Sequence, residues 1–482
     1  MSNLPPKPDS RLARINRLPP KILSVIFILC QRIWQICTNQ LESHIGRSYE
    51  CQLALSAVCR SWREIALDTT TLWTYIKLTR PTSSPLSELF LSRSGNVEPL
   101  NIDLRMIGSF WQTGGHLHAG NSAVQILNFL TPLGAPPSRW NSLHLEADII
   151  ETLYSSYLLF QQASFPSLRS SRLIYSGSSE PATDLGREIQ ETVRKAPLKF
   201  GETPTQLRDL KLHGLLIPYL LGESTHSQLR TLEYLELKFA GGFLELLDCD
   251  HLPAAILLSG HNVNFSDMAA LGQPRVLYPS LKSLSILNVS CAVWVLNHLL
   301  TLDAPQVTRF ELTIALAHWY RMDNNISQEQ LISYIATSNL LHATTVPKPL
   351  FPSLLHLTYS NAIIFASERD LKTLLSAYPQ LISLSIPDCT TLTPLFWRPW
   401  LVPWLEQLQV GVKDAKQLRK LKSLLIARRE AGIPLRIVHV NHAALGDPIT
   451  PAALQELEQL AEISLTDTPD LKFAGLTDIW GQ

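Results

Sequence analysis

The sequence carries no net charge, because its 482 residues include 41 lysines and arginines and 41 aspartates and glutamates. A chain without an overall field is not steered as a whole toward nucleic acid or an anionic membrane. Cysteine is also scarce, with seven scattered residues, an odd number, and no C-x-x-C pair. This pattern favours reduced thiols over a disulfide framework, so we expect the protein in the cytoplasm, the nucleus or both.

A long apolar run is missing as well. One segment, residues 22–30, follows several basic residues in the charge order of a secretory signal. It is about half as long as the ~20 residues that a transmembrane helix needs, and bulky residues stand where signal cleavage requires small ones. We therefore expect neither secretion nor association with a membrane.

The motifs of common catalytic sites are absent. The sequence has no G-x-x-x-x-G-K-[ST], no G-x-G-x-x-G after a strand, no H-E-x-x-H and no G-x-S-x-G, the signatures of nucleotide-binding and hydrolytic sites. The tightest histidine pair, His116 and His118, lies in a glycine-rich stretch without nearby cysteine or carboxylate ligands. The group Asp-Cys-Asp-His at 248–251 is interpreted as the polar end of a helix. We expect no catalytic residue, metal site or cofactor.

The N-terminal region contains two apolar helical patterns. Leu18-Pro19-Pro20 opens the first, which runs to about Trp34, because proline at the first helical positions loses only an unpartnered amide. Its apolar residues cover nearly the whole circumference. The second pattern, over 53–67, places Val58, Trp62 and other apolar residues on one face. About 50 residues cannot bury both helices, so part of this surface meets either the rest of the chain or another protein.

The residue order in this region resembles the F-box family. Leu18-Pro19 is followed by Ile22-Leu23, Ile26-Phe27, a Val-Cys-Arg-x-Trp-Arg run at 58–63 and a closing Leu72-Trp73. In that family the corresponding surface binds a small Skp-type adaptor, which bridges to a cullin scaffold and its RING subunit. The resemblance implies contact or support roles for Leu18, Pro19, Ile22, Leu23, Ile26, Val58, Cys59 and Trp62. Residues 31–50 make the gap between helices longer than the compact family form, and either extend a helix beside the docking surface or partly cover it.

From about residue 140 onward a unit recurs in the form apolar-x-x-apolar-x-apolar. Most spacings between successive units fall between 24 and 30 residues. Helical patterns lie between several of the units, at 291–302, 328–342, 368–378, 415–429 and 451–460. The first apolar residues are Trp140, Leu168, Leu207, Leu232, Leu281, Val307, Leu354, Leu381, Leu405, Leu435 and Leu460, with a degenerate unit at Leu252. In this register Leu284, Ile286, Leu384 and Ile386 are buried, whereas the intervening serines at 283, 285, 383 and 385 face the strand surface.

Strand and helix alternating at this period resemble the leucine-rich-repeat family, whose parallel strands line a curved solenoid. The alternative is an ordinary doubly wound α/β domain. The preceding residues 87–104 resemble the segment that leads into such repeats in fungal F-box proteins. A basic helical run from Lys416 to Arg429 is either an amphipathic helix with one wet face or a site for an acidic or phosphorylated partner.

The predicted fold class is α/β, with a small all-helical F-box followed by an irregular leucine-rich-repeat solenoid. The predicted parts are a flexible tail at 1–14, the F-box at 15–80, a capping segment at 81–139 and the solenoid at 140–482. The predicted function is a non-catalytic substrate receptor of an SCF-type ubiquitin ligase, which holds an unidentified target protein. A leucine-rich-repeat scaffold outside any ligase is the alternative.

Overall fold

The computed structural model describes residues 15, 17–40, 50–79, 85–108, 126, 129–149, 152–153, 156, 163–177, 206–214, 229–239, 276–289, 292–314, 328–338, 348–361, 368–387, 391–412, 414–441 and 451–466. The predicted tail at 1–14, the histidine pair at 116 and 118, the acidic group at 248–251 and the degenerate unit at Leu252 lie outside these residues. So do residues 41–49 of the long gap in the F-box pattern.

The described residues form two compact units, the first up to Gly177 together with residues 206–207, and the second from Arg208 onward. The first unit begins with three helices, α1 (Pro20–Gln40), α2 (Glu50–Ala57) and α3 (Arg60–Asp68), followed by a 3-10 turn at Thr70–Trp73. It continues through β1 (Tyr75–Leu78), α4 (Pro85–Ser94), β2 (Leu100–Met106), β3 (Trp140–Ala147) and β4 (Ser170–Tyr175). β1 to β4 pair in chain order, all parallel.

The second unit alternates strands with helices. Its strands are β5 (Asp209–His213), β6 (Tyr234–Lys238), β7 (Val276–Leu277), β8 (Ser283–Val289), β9 (Leu302–Asp303), β10 (Arg309–Ile314), β11 (His356–Asn361), β12 (Ser383–Ile386), β13 (Gln407–Gly411), β14 (Ile437–Asn441) and β15 (Glu462–Thr466). Its helices are α5 (Ala292–Thr301), α6 (Gln328–Thr337), α7 (Glu368–Ala377), α8 (Ala415–Glu430) and α9 (Pro451–Glu458).

Parallel pairing builds the main sheet of the second unit in the order β5, β6, β8, β10, β11, β12, β13, β14 and β15, while β7 and β9 pair separately. This order follows the chain without the reversal that defines a doubly wound sheet. The protein is therefore a mixed α/β protein with a helical N-terminal region and extensive parallel β-sheet. None of the described helices combines the length and the hydropathy that a membrane span requires.

The repeat register predicted for the apolar positions is confirmed. Of the eleven first apolar residues, all but Leu460 are at most 3% exposed. Leu284, Ile286, Leu384 and Ile386 are also at most 2% exposed. These side chains share one face because alternate residues of a strand point the same way, and apolar rows of neighbouring strands align in register.

The intervening serines need a correction, because they are buried rather than open to solvent. Ser285 and Ser385 are 2% and 1% exposed. Ser285 Oγ donates to Glu311 Oε2 at 3.1 Å, and Ser385 Oγ donates to Gln409 Oε1 at 2.7 Å. The longer side chains of neighbouring strands cover these small hydroxyls and bond to them. Ser283 is also buried, but in the described structure its hydroxyl has no hydrogen-bond partner.

Candidate functional site

The first helix of the chain is held by one apolar face. Leu23 and Phe27 are 1% and 0% exposed, and the Phe27 ring lies 5.0 Å from the Trp62 ring of α3. One turn later Gln31 is 5% exposed. The spacing 23, 27 and 31 is that of a single helical face. α1 is therefore oriented by contacts with α2 and α3, and the opposite face points outward.

The second helical pattern is two helices rather than the one predicted over 53–67. The helical conformation is interrupted at Cys59. The backbone of Cys59 is extended (φ −158°, ψ 172°), and its Sγ accepts a hydrogen bond from Trp62 N at 3.5 Å. Cys59 thus caps the N-terminus of α3 and satisfies an amide that has no partner within the helix. The apolar periodicity continues across the break, which is why the pattern predicted one helix.

The predicted closing pair, Leu72 and Trp73, anchors the helices to the strands that follow. Both side chains are 0% exposed. Trp73 Nε1 donates to the Ala66 carbonyl at 2.7 Å, and its ring meets Phe90 edge-on at 5.1 Å. The Arg93 guanidinium lies 4.4 Å from the same ring. The helical region is thereby joined to α4 through one buried indole.

A stripe of exposed apolar side chains runs along the outward face of α1 and the residues just before it. Along the chain they are Ile15 (41% exposed), Leu18 (36%), Ile22 (48%), Val25 (54%), Leu29 (49%) and Ile33 (60%), and we call these six residues the apolar stripe. Trp34 (38% exposed) follows Phe27 by seven residues and so lies on the other face of the helix, and Val58 (54% exposed) lies at the break between α2 and α3. Single exposed apolar residues are ordinary on a protein surface, but a contiguous run at helical spacing marks an interaction site.

The structure separates the eight predicted site residues into two groups. Leu18, Pro19, Ile22 and Val58 are exposed, so they are available for contact. Leu23 is buried, whereas Ile26, Cys59 and Trp62 are half-buried at the helix–helix contacts. The second group therefore supports the surface that the first group presents.

Val25, Leu29 and Ile33 are part of the stripe but were not among the predicted site residues. The sequence pattern did include them as apolar helical positions. It did not tell which side of an almost wholly apolar helix faces outward, because that depends on the Phe27–Trp62 contact. Residues 31–40 continue α1 for more than two turns beyond the compact F-box pattern.

A second feature of interest is a buried carboxylate in each unit. In the first, Asp103 accepts hydrogen bonds from the Tyr75 hydroxyl and from Arg105 Nε at 3.2 Å, and lies 3.1 Å from His144 Nδ1. Burial by itself would raise the pKa of Asp103. The hydrogen bond and charge of His144, with Arg105 and Tyr75, outweigh burial and hold that pKa well below its usual range.

The second unit holds a similar cluster around Glu236. His213 Nε2 lies 2.6 Å from Glu236 Oε1, the Tyr234 hydroxyl donates to Oε2 at 2.5 Å, and Lys211 Nζ lies 3.3 Å from the same oxygen. Burial opposes ionisation, but these partners lower the pKa of Glu236 far below its usual value. A carboxylate saturated in this way is a poor general base, so both clusters serve structure. The described residues contain no group of three or more potential metal ligands.

Comparison with known proteins supports the assignment of the N-terminal region. The F-box-like family model matches residues 15–79, so these helices form an F-box-like domain. F-box domains typically bind Skp-type adaptors, and the match points to an adaptor-type rather than a catalytic protein. No curated protein matches the chain. A solved structure of a Bacteroides fragilis protein is similar over 64% of this chain and 67% of its own, with 14% identity and a TM-score of 0.29.

Proposed function

We propose that this protein is the substrate-receptor subunit of an SCF-type cullin-RING ubiquitin ligase. The single observation that carries the proposal is the apolar stripe, which lies within the F-box-like domain. Its partner is a Skp-type adaptor, through which the chain is joined to the cullin and its RING subunit. The protein then acts in the cytoplasm, the nucleus or both, where such ligases operate.

The stripe has the energetics of an interface. Fully burying a Leu, Ile or Val side chain is worth about 1.5–3 kcal/mol, so half-exposed side chains gain roughly half of that when covered. Six such residues offer several kcal/mol before the costs of association are subtracted. In this proposal Leu18, Pro19, Ile22 and Val58 contact the adaptor, while Leu23 and Trp62 hold the helices beneath them.

The second unit holds the target in this proposal. Its regular alternation of parallel strands and helices, and the repeat register of the buried leucines, support a leucine-rich-repeat solenoid. In this proposal residues 81–139 lead into the repeats, which begin at Trp140. The receptor contributes no chemical group to ubiquitin transfer. It raises the effective concentration of the target near the conjugating enzyme and fixes the target's orientation.

The test is reconstitution with purified components. The full chain is mixed with a Skp-type adaptor, a cullin and a RING subunit, and the complex is isolated by size-exclusion chromatography. We expect a stoichiometric four-component complex with wild type and none with Leu18→Ala combined with Pro19→Ala. A chain that stays apart from the adaptor, although folded by circular dichroism, would favour the alternative scaffold function outside any ligase.

A further inference from the structure

A tryptophan-rich segment stands where a helix would be expected between β12 and β13. Within the described residues 391–406, the chain forms only a 3-10 turn, Thr393–Phe396, which lies against α7 and α8. Three tryptophans follow within eight residues, at 397, 400 and 404. Connections between other strands of this unit contain an α-helix, such as α7 before β12 and α8 after β13, whereas the described part of this one does not.

Trp404 is the exposed member of the three. It is 71% exposed, whereas Trp397 and Trp400 are half-buried and each has a cation over its ring. Lys372 Nζ lies 4.1 Å from the Trp397 ring, and the Arg398 guanidinium lies 5.3 Å from the Trp400 ring. In the described part of the chain, no cation or second ring covers Trp404. Tryptophan is the side chain most enriched among the dominant residues of protein interfaces.

A buried arginine fixes the backbone on both sides of Trp404. Arg428 is 0% exposed, and its guanidinium donates to the carbonyls of Val402 and Pro403 at 3.3 Å and of Leu405 at 3.1 Å. Burial lowers the pKa of Arg428 to about 10, and no carboxylate of the described residues forms an ion pair with it. The exposed indole thus projects from a braced turn, so little ordering entropy is lost when a partner covers it.

The surrounding charge is strongly unbalanced. Residues 391–430 contain eight basic residues and three acidic ones, in a chain whose net charge is zero. Glu430 is the last residue of α8 and lies ten residues beyond Lys420, and the other two acids are already engaged. Glu406 pairs with Arg436 at 3.1 Å, and Asp414 caps α8 by accepting from Gln417 N at 2.7 Å. Neither is free to neutralise a cation of α8.

Three exposed cations in the first half of α8 have no carboxylate partner among the described residues. Lys416, Arg419 and Lys420 are exposed, and within the described residues none lies within ion-pairing distance of an acid. Lys422 differs, since it pairs with Glu456 at 2.7 Å. Arg428 bonds the backbone beside Trp404, and Lys420 lies eight residues before Arg428, which is about 12 Å along a helix. An extended peptide covers that distance with about four residues.

We infer that Trp404 together with Lys416, Arg419 and Lys420 forms a docking surface for an acidic polypeptide segment that places an apolar side chain against Trp404. Charge complementarity selects the carboxylates, and the braced indole selects the apolar anchor. A single-stranded nucleic acid would need a series of open stacking platforms, but two of the three tryptophans have a cation over the ring. The inference deepens the proposed function, and rests on it only in assigning the acidic segment to the target.

The experiment selects random peptides of about 12 residues, a length that spans the surface, displayed on phage against the immobilised full-length protein. Selections run in parallel on wild type, on Trp404→Ala and on the triple variant Lys416→Glu, Arg419→Glu, Lys420→Glu. Two controls are included. Val97→Ala removes an exposed apolar side chain, 90% exposed, outside the proposed surface. Lys416→Arg with Lys420→Arg changes the side chains but keeps the positive charges. The most enriched peptides and an oligonucleotide of similar length are then measured by fluorescence anisotropy.

We expect wild type and both controls to enrich peptides that combine several Asp or Glu residues with a large apolar residue. Trp404→Ala and the triple variant should each weaken binding by at least about tenfold, as for a dominant interface residue. Replacing Glu by Gln in the peptide should weaken it similarly. Unchanged thermal midpoints show that the variants fold, and unchanged adaptor binding separates this result from the proposed function. Enrichment without acidic bias, equal binding by the variants, or stronger binding of the oligonucleotide would overturn the inference.

Discussion

The rings of Phe27 and Trp62 pack against each other with centroids 5.0 Å apart and planes inclined by 51°. This contact joins α1 to α3 and decides which side of an almost wholly apolar helix faces outward. Because Phe27 is 0% exposed, Ile22, Val25 and Leu29 are turned toward solvent. The apolar stripe is therefore a consequence of the helix packing beneath it.

Truncating Trp62 should weaken adaptor binding indirectly, through loss of that packing. Trp→Ala in a core costs about 3–5 kcal/mol, and the half-buried position of Trp62 places the expected cost at the low end, about 3 kcal/mol. Chemical denaturation followed by far-ultraviolet circular dichroism measures it. Leu18→Ala with Pro19→Ala is the matched comparison, expected to change stability by less than about 0.5 kcal/mol because both residues are exposed. Equal destabilisation by the two variants would contradict this division into support and contact.

Gln52 offers a stabilising change in the same domain. It is 1% exposed, and in the described structure neither its amide nitrogen nor its amide oxygen has a hydrogen-bond partner. Gln52→Leu removes two buried unsatisfied polar atoms, so we expect the free energy of unfolding to rise by about 1–3 kcal/mol. The same replacement at Gln380, whose Nε2 donates to the Pro352 carbonyl at 3.1 Å, should give no gain. Denaturant titration of both variants measures their free energies of unfolding, and an equal change in the two would contradict the prediction.

The repeat register predicts unequal costs for neighbouring residues of β12. Leu384 is 0% exposed, so Leu384→Ala should cost about 2–5 kcal/mol. Ser385→Ala should cost about 1 kcal/mol, since it removes the hydrogen bond to Gln409, which is itself 5% exposed. The exposed Ser423→Ala serves as the control and should stay within about 0.5 kcal/mol. Similar thermal shifts for all three variants would show that the register is wrong.

Acid should destabilise the second unit through its carboxylate cluster. The folded state lowers the pKa of Glu236, so its stabilising effect is present above the unfolded pKa of about 4.3 and is lost as pH falls through the folded value. Burial also lowers the pKa of His213, so below about pH 6.5 the unfolded chain binds that proton more readily. Both effects have the same sign, and stability should fall steadily from about pH 6.5 downward.

Glu236→Gln isolates the carboxylate in this cluster. At neutral pH it should cost about 3 kcal/mol, because it leaves Lys211 and its other partners without a buried charge. Below about pH 4.3 the difference from wild type should begin to shrink, because the carboxylate of the unfolded chain is then protonated while the folded one stays charged. The exposed Glu456→Gln is the control, expected to cost at most about 1 kcal/mol. Thermal midpoints from pH 3 to pH 8 measure both.

Much of the fold follows from periodicity alone. The five helices expected in the second unit lie within a few residues of the observed α5 to α9, because each has a clear apolar face between short strands. The break at Cys59 could not be predicted, since apolar spacing continues through it and only the extended backbone reveals the cap. The burial of Ser285 and Ser385 depends on long polar neighbours from adjacent strands, which a single strand pattern does not contain.

The candidate site was predictable in its members but not in its geometry. Leu18, Pro19 and Ile22 come from the F-box resemblance, and all three are exposed. The assignment of Val25 and Leu29 to the same surface required the orientation of α1. The adaptor-contact roles themselves stay predictions.

Affinity for a purified Skp-type adaptor tests the central claim most directly. Isothermal titration calorimetry is run on the full chain, on Ile22→Glu, which places a charge in the apolar stripe, and on Val97→Glu, the same charge at an exposed position outside it. The account predicts that wild type and Val97→Glu bind with the same affinity, and that Ile22→Glu loses at least about 2 kcal/mol of binding free energy at an unchanged thermal midpoint. Equal affinity of Ile22→Glu and wild type, or no binding by wild type, would contradict it.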